Sequence, residues 1–293
     1  MTLEKESPCK INLLLNILGK RASGFHDLET VMHPIGLHDR LAFEPQADGI
    51  RLTCNIDNLP TDSRNLVHQA ASAFLEMSGI RSGVRIHLKK NVPLAAGLGG
   101  GSGNAAVALS GLNELFGRPL AAAQLQQIAA QIGSDIPFFL QTHPALATGR
   151  GEIIQPLEFF PALRGAVVLL IHPGFGVSTA WAYSNLSRFP AALHGLPGRA
   201  QKLIALLQSP DLKPAVPEFY NALEAPVLEK YPLLALFQEF LRENGAPVSR
   251  MSGSGSSTFA ILPSAAAAEE LAGKFRNKFG ATHWTAIVPM GPR

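Results

Sequence analysis

Residues 93–104 form a glycine-rich stretch with the residue types that could bind an anionic group. Four of the five residues from Gly97 to Gly101 are glycines, and glycine lets the backbone bend tightly or approach a ligand closely. A strand-like alternation at 84–89 precedes the stretch, and an alanine-rich segment of high helix propensity follows it. A helix that begins after such a loop points its free N–H groups and its dipole at one place, which favours a phosphate. We therefore predict a phosphate-binding loop rather than a flexible turn, which would need fewer glycines.

The two best-known phosphate-binding loops do not fit this stretch. No Lys-Ser or Lys-Thr pair follows the last glycine, as the common phosphate loop requires. If Gly97 and Gly99 began a dinucleotide-binding fingerprint, Ser102 would replace its third glycine. Glutamines also stand about twenty positions further on, where that fingerprint has an acidic residue. The sequence thus indicates a phosphate loop of another kind.

Two further segments place polar side chains among apolar residues. Lys10 and Asn12 fall on the same side of a predicted buried strand at residues 9–18. The alternative for Lys10 is an edge position or a side chain that reaches solvent. Asp135 stands before the apolar run Ile-Pro-Phe-Phe-Leu, which would place its carboxylate beside a dry pocket and tune it for proton transfer. The alternative there is that Ser134 or Asp135 only caps a short helix.

Length and composition describe a globular protein of two domains. The 293 residues exceed the usual size of one domain, and 46% apolar residues suffice for substantial cores. A net charge of +3 without a Lys/Arg block favours an anionic small substrate over a nucleic-acid groove. The only cysteines, Cys9 and Cys54, exclude a disulfide scaffold and a zinc site of cysteines alone, and they favour a reducing compartment. A charged N-terminus and the lack of a long apolar stretch predict a cytoplasmic protein without a membrane span.

Periodicity and capping residues predict the elements that hold these segments. Asp62 or Ser63 would cap a helix that Gly79 ends. A second glycine-rich loop, residues 252–257, lies between two predicted strands, which favours a tight functional turn over a flexible linker. Residues 156–161 would connect the domains. The predicted strands are 9–18, 35–44, 50–56, 84–89, 165–172, 248–251, 258–262 and 282–288, and the further helices are 104–116, 121–132, 198–208, 231–244 and 265–278.

Five segments together resemble the GHMP kinases, the superfamily of galactokinase, homoserine, mevalonate and phosphomevalonate kinases. The resemblance implies an α+β protein of two domains with the active site in the cleft between them. Residues 1–155 would form an N-terminal ribosomal-S5-like α/β domain for ATP binding and catalysis. Residues 156–293 would form a C-terminal ferredoxin-like α+β domain for substrate binding. The segments are residues 8–13, 21–26, 93–106, 133–139 and 251–257, and they follow the family's order.

The resemblance also implies an ATP-dependent kinase that uses Mg²⁺. The segments at 21–26 and 133–139 are similar to the branch that phosphorylates the 2-hydroxyl of a methylerythritol carrying a cytidine diphosphate, on the non-mevalonate route to isoprenoid precursors. Lys10 and Asp135 would be the catalytic pair, with Asp135 as the base. Asn12, Phe25, His26 and Tyr183 would bind the substrate, the two aromatic rings stacking on cytosine. The ATP-binding residues would be Leu94, Ala95, Ala96, Gly97, Leu98, Gly99, Gly100, Gly101, Ser102, Gly103 and Asn104, with Asn65, Leu66 and Lys90 near the adenine.

One departure from the family pattern lies in the loop, where Gly103 stands in place of the usual second serine. If that serine normally helps to hold phosphate or metal, Ser102 must suffice here. No acidic cluster identifies ligands for Mg²⁺. Two alternatives remain open: a homoserine or mevalonate kinase, whose substrate has no cytosine to stack on Phe25 and Tyr183, and a non-catalytic nucleic-acid-binding module. The oligomeric state is left open between a monomer and a weak homodimer.

Overall fold

The structure is a computed structural model that describes residues 2–290. The chain divides into two compact units, and two long strands and the glycine-rich stretch contribute residues to both. The predicted domain boundary between residues 155 and 156 lies inside the second unit and stays a prediction. Within the described residues, the first unit comprises 2–9, 37–93 and 99–142, and the second comprises 10–36, 94–98 and 143–290.

The first unit combines a sheet with three helices that pack against one another. Strand β3 runs parallel to β4, β4 pairs antiparallel with the later part of β2, and the early part of β1 completes the order β3-β4-β2-β1. Side chains of β4 alternate between buried and exposed along most of its length, as its sequence predicts. The bounds are β1 Leu3–Lys20, β2 His26–Gln46, β3 Ile50–Cys54, β4 Gly83–Lys89, α1 Leu66–Ser78, α2 Gly100–Leu115 and α3 Ala122–Ile132.

The ends of α1 show how local side chains define a helix. Asn65 is the N-cap, since its side chain accepts a hydrogen bond from the backbone N–H of Val67. The sequence-based choice of Asp62 or Ser63 is therefore wrong by two or three residues. Gly79 ends the helix as predicted, because it takes the left-handed conformation, with φ of 68°, that glycine tolerates best.

The second unit contains a four-stranded antiparallel sheet in the order β11-β7-β10-β9. It also contains the β1 and β2 residues 10–20 and 26–36, where β8 pairs in parallel with β1, β5 pairs antiparallel with β2, and β6 pairs with β5. The bounds are β5 Ala145–Thr148, β6 Ile153–Pro156, β7 Val167–His172, α4 Thr179–Ser184, α5 Pro190–Leu193, α6 Arg199–Leu207, β8 Tyr220–Asn221, α7 Glu224–Lys230, α8 Pro232–Glu243, β9 Val248–Met251, β10 Thr258–Leu262, α9 Ala265–Phe279 and β11 Trp284–Pro289.

The C-terminal part of this unit is the part that the sequence predicts best. Strands β7, β9, β10 and β11 and helices α6, α8 and α9 all lie within two residues of their predicted bounds. Phe237 of α8 and Phe275 of α9 are buried and meet edge to face, with ring centroids 4.8 Å apart. The core that these two side chains help to form supports β9 and β10, the strands on either side of the second glycine-rich loop. Within residues 2–290, no helix is both long and apolar enough to cross a membrane.

Candidate active site

The first part of the glycine-rich stretch, residues 94–98, belongs to the second unit and lies against the second glycine-rich loop. The backbone oxygen of Gly97 accepts a hydrogen bond of 2.9 Å from Ser252 Oγ, and that of Ala96 accepts one of 3.1 Å from the N–H of Ser257. A Cβ atom at Gly97 would lie 2.0 Å from the oxygen of Ser252, and the residue has a φ of 76°. Glycine is therefore required by close approach of the two backbones.

Asn221 of β8 fixes the second glycine-rich loop. Its side-chain amide donates hydrogen bonds of 2.8 Å to the backbone oxygens of both Met251 and Gly253, and its oxygen accepts one of 3.0 Å from the N–H of Leu223. The loop is thus a tight turn, as predicted, and not a flexible linker. Sequence reasoning missed Asn221, because it stands in a two-residue strand that has no motif of its own.

The second part of the glycine-rich stretch begins helix α2 in the first unit. The helix starts at Gly100 and not at residue 104 as predicted, because Gly99 takes the left-handed conformation, with φ of 71°, and the glycines after it continue as helix. No side chain caps this end, so the N–H groups of the first turn have no partner within the helix. Lys90 Nζ lies 3.1 Å from the place where a Cβ atom of Gly100 would stand. The free N–H groups of this helix end suit an anionic group such as a phosphate.

The position of Gly103 faces the interior of the first unit. Gly103 is buried, whereas Ser102 is half-buried and Gly101 is exposed. A Cβ atom at Gly103 would lie 2.7 Å from the oxygen of Pro8 and 3.1 Å from Ser7 Oγ. A serine at this position would therefore have to displace β1. The missing serine is explained by packing, and Ser102 remains the accessible hydroxyl of the loop.

Lys90 is held by an ion pair with Asp39 inside the first unit. Lys90 Nζ donates a hydrogen bond to Asp39 Oδ2, and the two side chains are 3% and 0% exposed. The other oxygen of Asp39 accepts hydrogen bonds of 2.7 and 2.9 Å from the N–H groups of Asn91 and Val92. A buried carboxylate with three donors is well satisfied. Asp39 was not a candidate from the sequence, because its partner lies 51 positions away.

Asn65 and Leu66 occupy different surroundings in the first unit. The Asn65 side chain caps α1 through its oxygen and donates a hydrogen bond of 2.7 Å from its nitrogen to the oxygen of Pro60. Leu66 Cδ1 lies 3.6 Å from the place where a Cβ atom of Gly101 would stand. Leu66 therefore lies beside the glycine-rich stretch, and Asn65 holds the helix that carries it. Their contacts with adenine stay predictions.

Lys10 is a buried cation in the second unit. Its ammonium group donates hydrogen bonds to Asn12 Oδ1 and, at 3.2 Å, to the backbone oxygen of Gly97, and the lysine and the asparagine are each 3% exposed. The alternative of an edge position or a solvent-reaching side chain is therefore wrong. Asn12 is fixed in turn, since its nitrogen donates a hydrogen bond of 2.8 Å to Thr30 Oγ1. Lys10 is thus positioned both by its own strand and by the glycine-rich stretch.

Asp135 lies in the first unit, in the turn between α3 and a single helical turn at Pro137–Leu140. It is half-buried, and the four residues that follow it are all buried. The apolar residues after Asp135 are therefore part of the core, and the dry pocket beside its carboxylate stays a prediction. Lys10 and Asp135 belong to different units, and their action as a pair stays a prediction.

The aromatic candidates lie in the second unit. The rings of His26 and Tyr183 have centroids 5.2 Å apart, and the adjacent Phe25 is 51% exposed. The turn that carries Phe25 is closed by a hydrogen bond of 2.7 Å from the N–H of Arg21 to the oxygen of Phe25. Burial, and to a smaller extent the charge of Lys20, lowers the pKa of His26 below its ordinary value. A neutral imidazole that can both donate and accept hydrogen bonds therefore stands beside the Tyr183 ring and next to Phe25 in the sequence.

The chain matches known proteins along most of its length. The GHMP kinases N terminal domain family matches residues 65–143, and the GHMP kinases C terminal family matches residues 189–281. A solved homoserine kinase from Cytophaga hutchinsonii ATCC 33406 is 20% identical and has the same fold, with a TM-score of 0.74 over 99% of this chain and 95% of that one. The protein is a GHMP kinase.

Two further matches identify the branch of the GHMP kinases to which the chain belongs. A 4-diphosphocytidyl-2-C-methyl-D-erythritol kinase of Synechococcus sp. (strain JA-2-3B'a(2-13)) is 41% identical over 292 residues, which cover 96% of this chain and 93% of the relative. A solved 4-(cytidine 5'-diphospho)-2C-methyl-D-erythritol kinase is 32% identical, with a TM-score of 0.80 over 99% of this chain and 100% of that one. The chain belongs to the family of 4-diphosphocytidyl-2-C-methyl-D-erythritol kinases.

Proposed function

We propose that the chain transfers a phosphoryl group from ATP to the 2-hydroxyl of 4-diphosphocytidyl-2-C-methyl-D-erythritol, on the non-mevalonate route to isoprenoid precursors. The observation that carries the proposal is the buried Lys10, whose ammonium group donates a hydrogen bond to Gly97 in the glycine-rich stretch. A cation fixed at a phosphate loop suits a reaction in which negative charge must be stabilised on a transferred phosphoryl group. The substrate follows from the relatives of this family, which are named for it.

The glycine-rich stretch would bind the phosphates of ATP. The uncapped N-terminus of α2 offers backbone N–H groups, and the ammonium group of Lys90, which is paired with Asp39, lies beside Gly100 as a further hydrogen-bond donor. The exposed Gly101 leaves room for a phosphate, since the nearest atom to its absent Cβ is Leu66 Cδ1 at 3.6 Å. The adenine would lie near Asn65 and Leu66.

Asp135 would act as the general base and Lys10 as the electrostatic group. The Asp135 carboxylate accepts the proton of the 2-hydroxyl while that oxygen bonds to the γ-phosphorus, and the bond from this phosphorus to the oxygen of ADP breaks. The Lys10 ammonium group would offset the charge on the phosphoryl oxygens. Alignment and charge stabilisation contribute most in such transfers, and a positioned base adds about 10²–10⁴-fold.

Mg²⁺ would be bound mainly by ATP and water. Across residues 2–290, no three or more His, Cys, Asp or Glu side chains cluster in a way that could hold a metal ion. The half-buried hydroxyl of Ser102 is the side chain of the loop that could add one ligand. Magnesium commonly binds through few protein ligands and several waters, so the residues present fit a metal that is bound together with ATP. Its contribution would be to neutralise the phosphates.

The cytidine end of the substrate would be bound in the second unit. Phe25 and Tyr183 would stack on the cytosine, and His26 would hydrogen-bond to its edge. Stacking of a base on an aromatic side chain contributes about 1–3 kcal/mol. Asn12 would contact the methylerythritol part with its second N–H, since its first N–H is bonded to Thr30. We expect this chemistry in the cytoplasm, on a soluble small molecule, without a nucleic-acid or membrane partner.

A coupled ADP-release assay with the purified protein, Mg-ATP and this substrate tests the proposal. We expect saturable turnover that CMP or CDP inhibits by competition with the cytidine substrate. Asp135→Asn should bind ATP normally and lose most of its turnover, whereas Asp48→Asn, a change at an exposed carboxylate, should behave as the natural protein. The absence of turnover at saturating substrate would contradict the function, and normal turnover by Asp135→Asn would contradict the assignment of the base.

A further inference from the structure

Arg150 lies on one face of the ring that is proposed to stack on the substrate's base. Its guanidinium carbon is 4.7 Å from the centroid of the Phe25 ring. Phe25 is 51% exposed, so a large part of its surface is accessible to a ligand. A guanidinium over an aromatic face is attracted by the ring's electron density and packs flat against it. An exposed ring on a surface turn is therefore covered on one side by a single side chain.

The backbone around Arg150 is built to hold that side chain in place. Gly149 and Gly151 flank it, both in the left-handed region with φ of 73° and 107°. The oxygen of Gly149 accepts a hydrogen bond of 2.9 Å from the N–H of Leu28, which joins this turn to β2 two residues after His26. The turn that bears Arg150 and the strand that bears the base-reading residues are thus fixed to each other within the second unit.

Glu152 restrains the arginine further. Its carboxylate accepts a hydrogen bond of 2.6 Å from the backbone N–H of Arg150 and one of 3.4 Å from Arg150 Nε. Although burial acts in the opposite direction, hydrogen bonds from the backbone N–H of Glu152 itself and from Arg150 lower the pKa of Glu152 below its ordinary value. The two side chains are 30% and 21% exposed. A guanidinium with an ionised partner on one side and a ring on the other has little freedom to leave the ring.

We propose that Arg150 is a specificity-determining positioning residue, which holds Phe25 in the orientation that stacks on the cytosine of the substrate. The inference rests on the proposed function, because it assumes that Phe25 receives the base. Arg150 acts through Phe25, so its effect belongs to binding of the cytidine end alone. Binding of ATP and the transfer step do not depend on it.

The test compares Arg150→Ala with Arg188→Ala in steady-state kinetics. Arg188 is a matched control, because its guanidinium also lies over a phenylalanine, at 5.5 Å from the Phe189 ring, and also pairs with a glutamate, Glu229. We expect Arg150→Ala to raise the KM for the cytidine substrate and the inhibition constant of CMP by the same factor, about 3- to 30-fold. The kcat and the KM for ATP should stay within about twofold. Arg188→Ala should change none of these values, and Arg150→Lys should recover part of the loss.

A double-mutant cycle with Phe25→Leu tests whether Arg150 affects substrate binding through the Phe25 ring. Because Arg150 is proposed to act through the ring, Arg150→Ala should add less than about twofold to the KM once the ring is gone. The inference is overturned if Arg150→Ala leaves the KM and the CMP constant unchanged, if it changes kcat and the KM for ATP in parallel, or if the two substitutions are additive. Failure of the natural protein to phosphorylate the cytidine substrate is a separate result, which would contradict the proposed function itself.

Discussion

Replacing Gly103 with alanine should destabilise the protein, whereas the same change at Gly101 should not. Both glycines lie in α2, where alanine is favoured over glycine by about 1 kcal/mol. A Cβ atom at Gly103 would meet the oxygen of Pro8 at 2.7 Å and Ser7 Oγ at 3.1 Å, whereas a Cβ atom at Gly101 would meet Leu66 Cδ1 at 3.6 Å. Overpacking of an interior typically costs about 1–3 kcal/mol. The two variants should therefore differ by about 1–3 kcal/mol in the free energy of unfolding.

Urea unfolding followed by circular dichroism measures this difference, with the natural protein and Gly101→Ala as references. We expect Gly103→Ala to unfold at a lower urea concentration than both references. The dependence of the free energy of unfolding on urea concentration should be unchanged. Gly103→Ser should lose at least as much stability, because it introduces the same Cβ atom and a hydroxyl besides. If Gly103→Ala were as stable as Gly101→Ala, the packing explanation would be refuted. The glycine in place of the family's serine would then be a loss of a functional hydroxyl.

Three further predictions follow from other contacts. Gly97→Ala should weaken ATP binding at least tenfold in calorimetry, because its Cβ atom would stand 2.0 Å from the oxygen of Ser252 at a φ of 76°. Unchanged ATP binding would contradict the conclusion that position 97 requires glycine. Asp39→Asn should destabilise the protein by about 3–5 kcal/mol in urea, since it leaves the buried Lys90 without its counter-charge, and the added change Lys90→Met should recover part of the loss. Burial lowers the pKa of His33 from 6.5 to about 4, so the folded state keeps it neutral while the unfolded chain takes up a proton. The stability that the folded state gains from burying the neutral His33 side chain is fully present above pH 6.5 and is lost as the pH falls towards 4. His33→Phe should therefore reduce the slope of stability against pH in that window by up to about 1.4 kcal/mol per pH unit, and an unchanged slope would show that another group titrates there.

The sequence predicts elements whose signals are local. The C-terminal strands and helices carry clear periodicity and capping residues, and their predicted bounds agree with the structure. Helix α2 is different, because glycine has poor helix propensity and the residues from Gly100 onward look like loop. Helix α2 nevertheless begins at Gly100, where Gly99 takes the left-handed conformation at its N-cap. The buried Gly103 then packs against Pro8, which lies far earlier in the sequence, and no local pattern shows that contact.

The residues of the candidate site also divide into those with a local sequence signal and those whose role depends on contacts with distant residues. The apolar residues after Asp135 could be found from local pattern alone, whereas the sequence left the position of Lys10 open between a buried and an edge site, and only the structure shows that it is buried. Asp39, Asn221 and Arg150 could not be found from local pattern, since each contacts the functional segments across long sequence separations and none belongs to a motif. Charges and amides of this kind are common on protein surfaces. Only the folded contacts show that these particular ones hold Lys90, the second glycine-rich loop and Phe25.

We propose that the enzyme moves one phosphoryl group from ATP to the 2-hydroxyl of its cytidine substrate. Phosphorus NMR of a completed reaction tests this directly, because it resolves ADP, the diphosphate of the substrate and any new phosphomonoester. We predict one new phosphomonoester on the 2-oxygen for each ADP formed, and no product when homoserine or mevalonate replaces the cytidine substrate. ADP without a phosphomonoester, or a phosphorylated product from homoserine or mevalonate, would contradict this reaction.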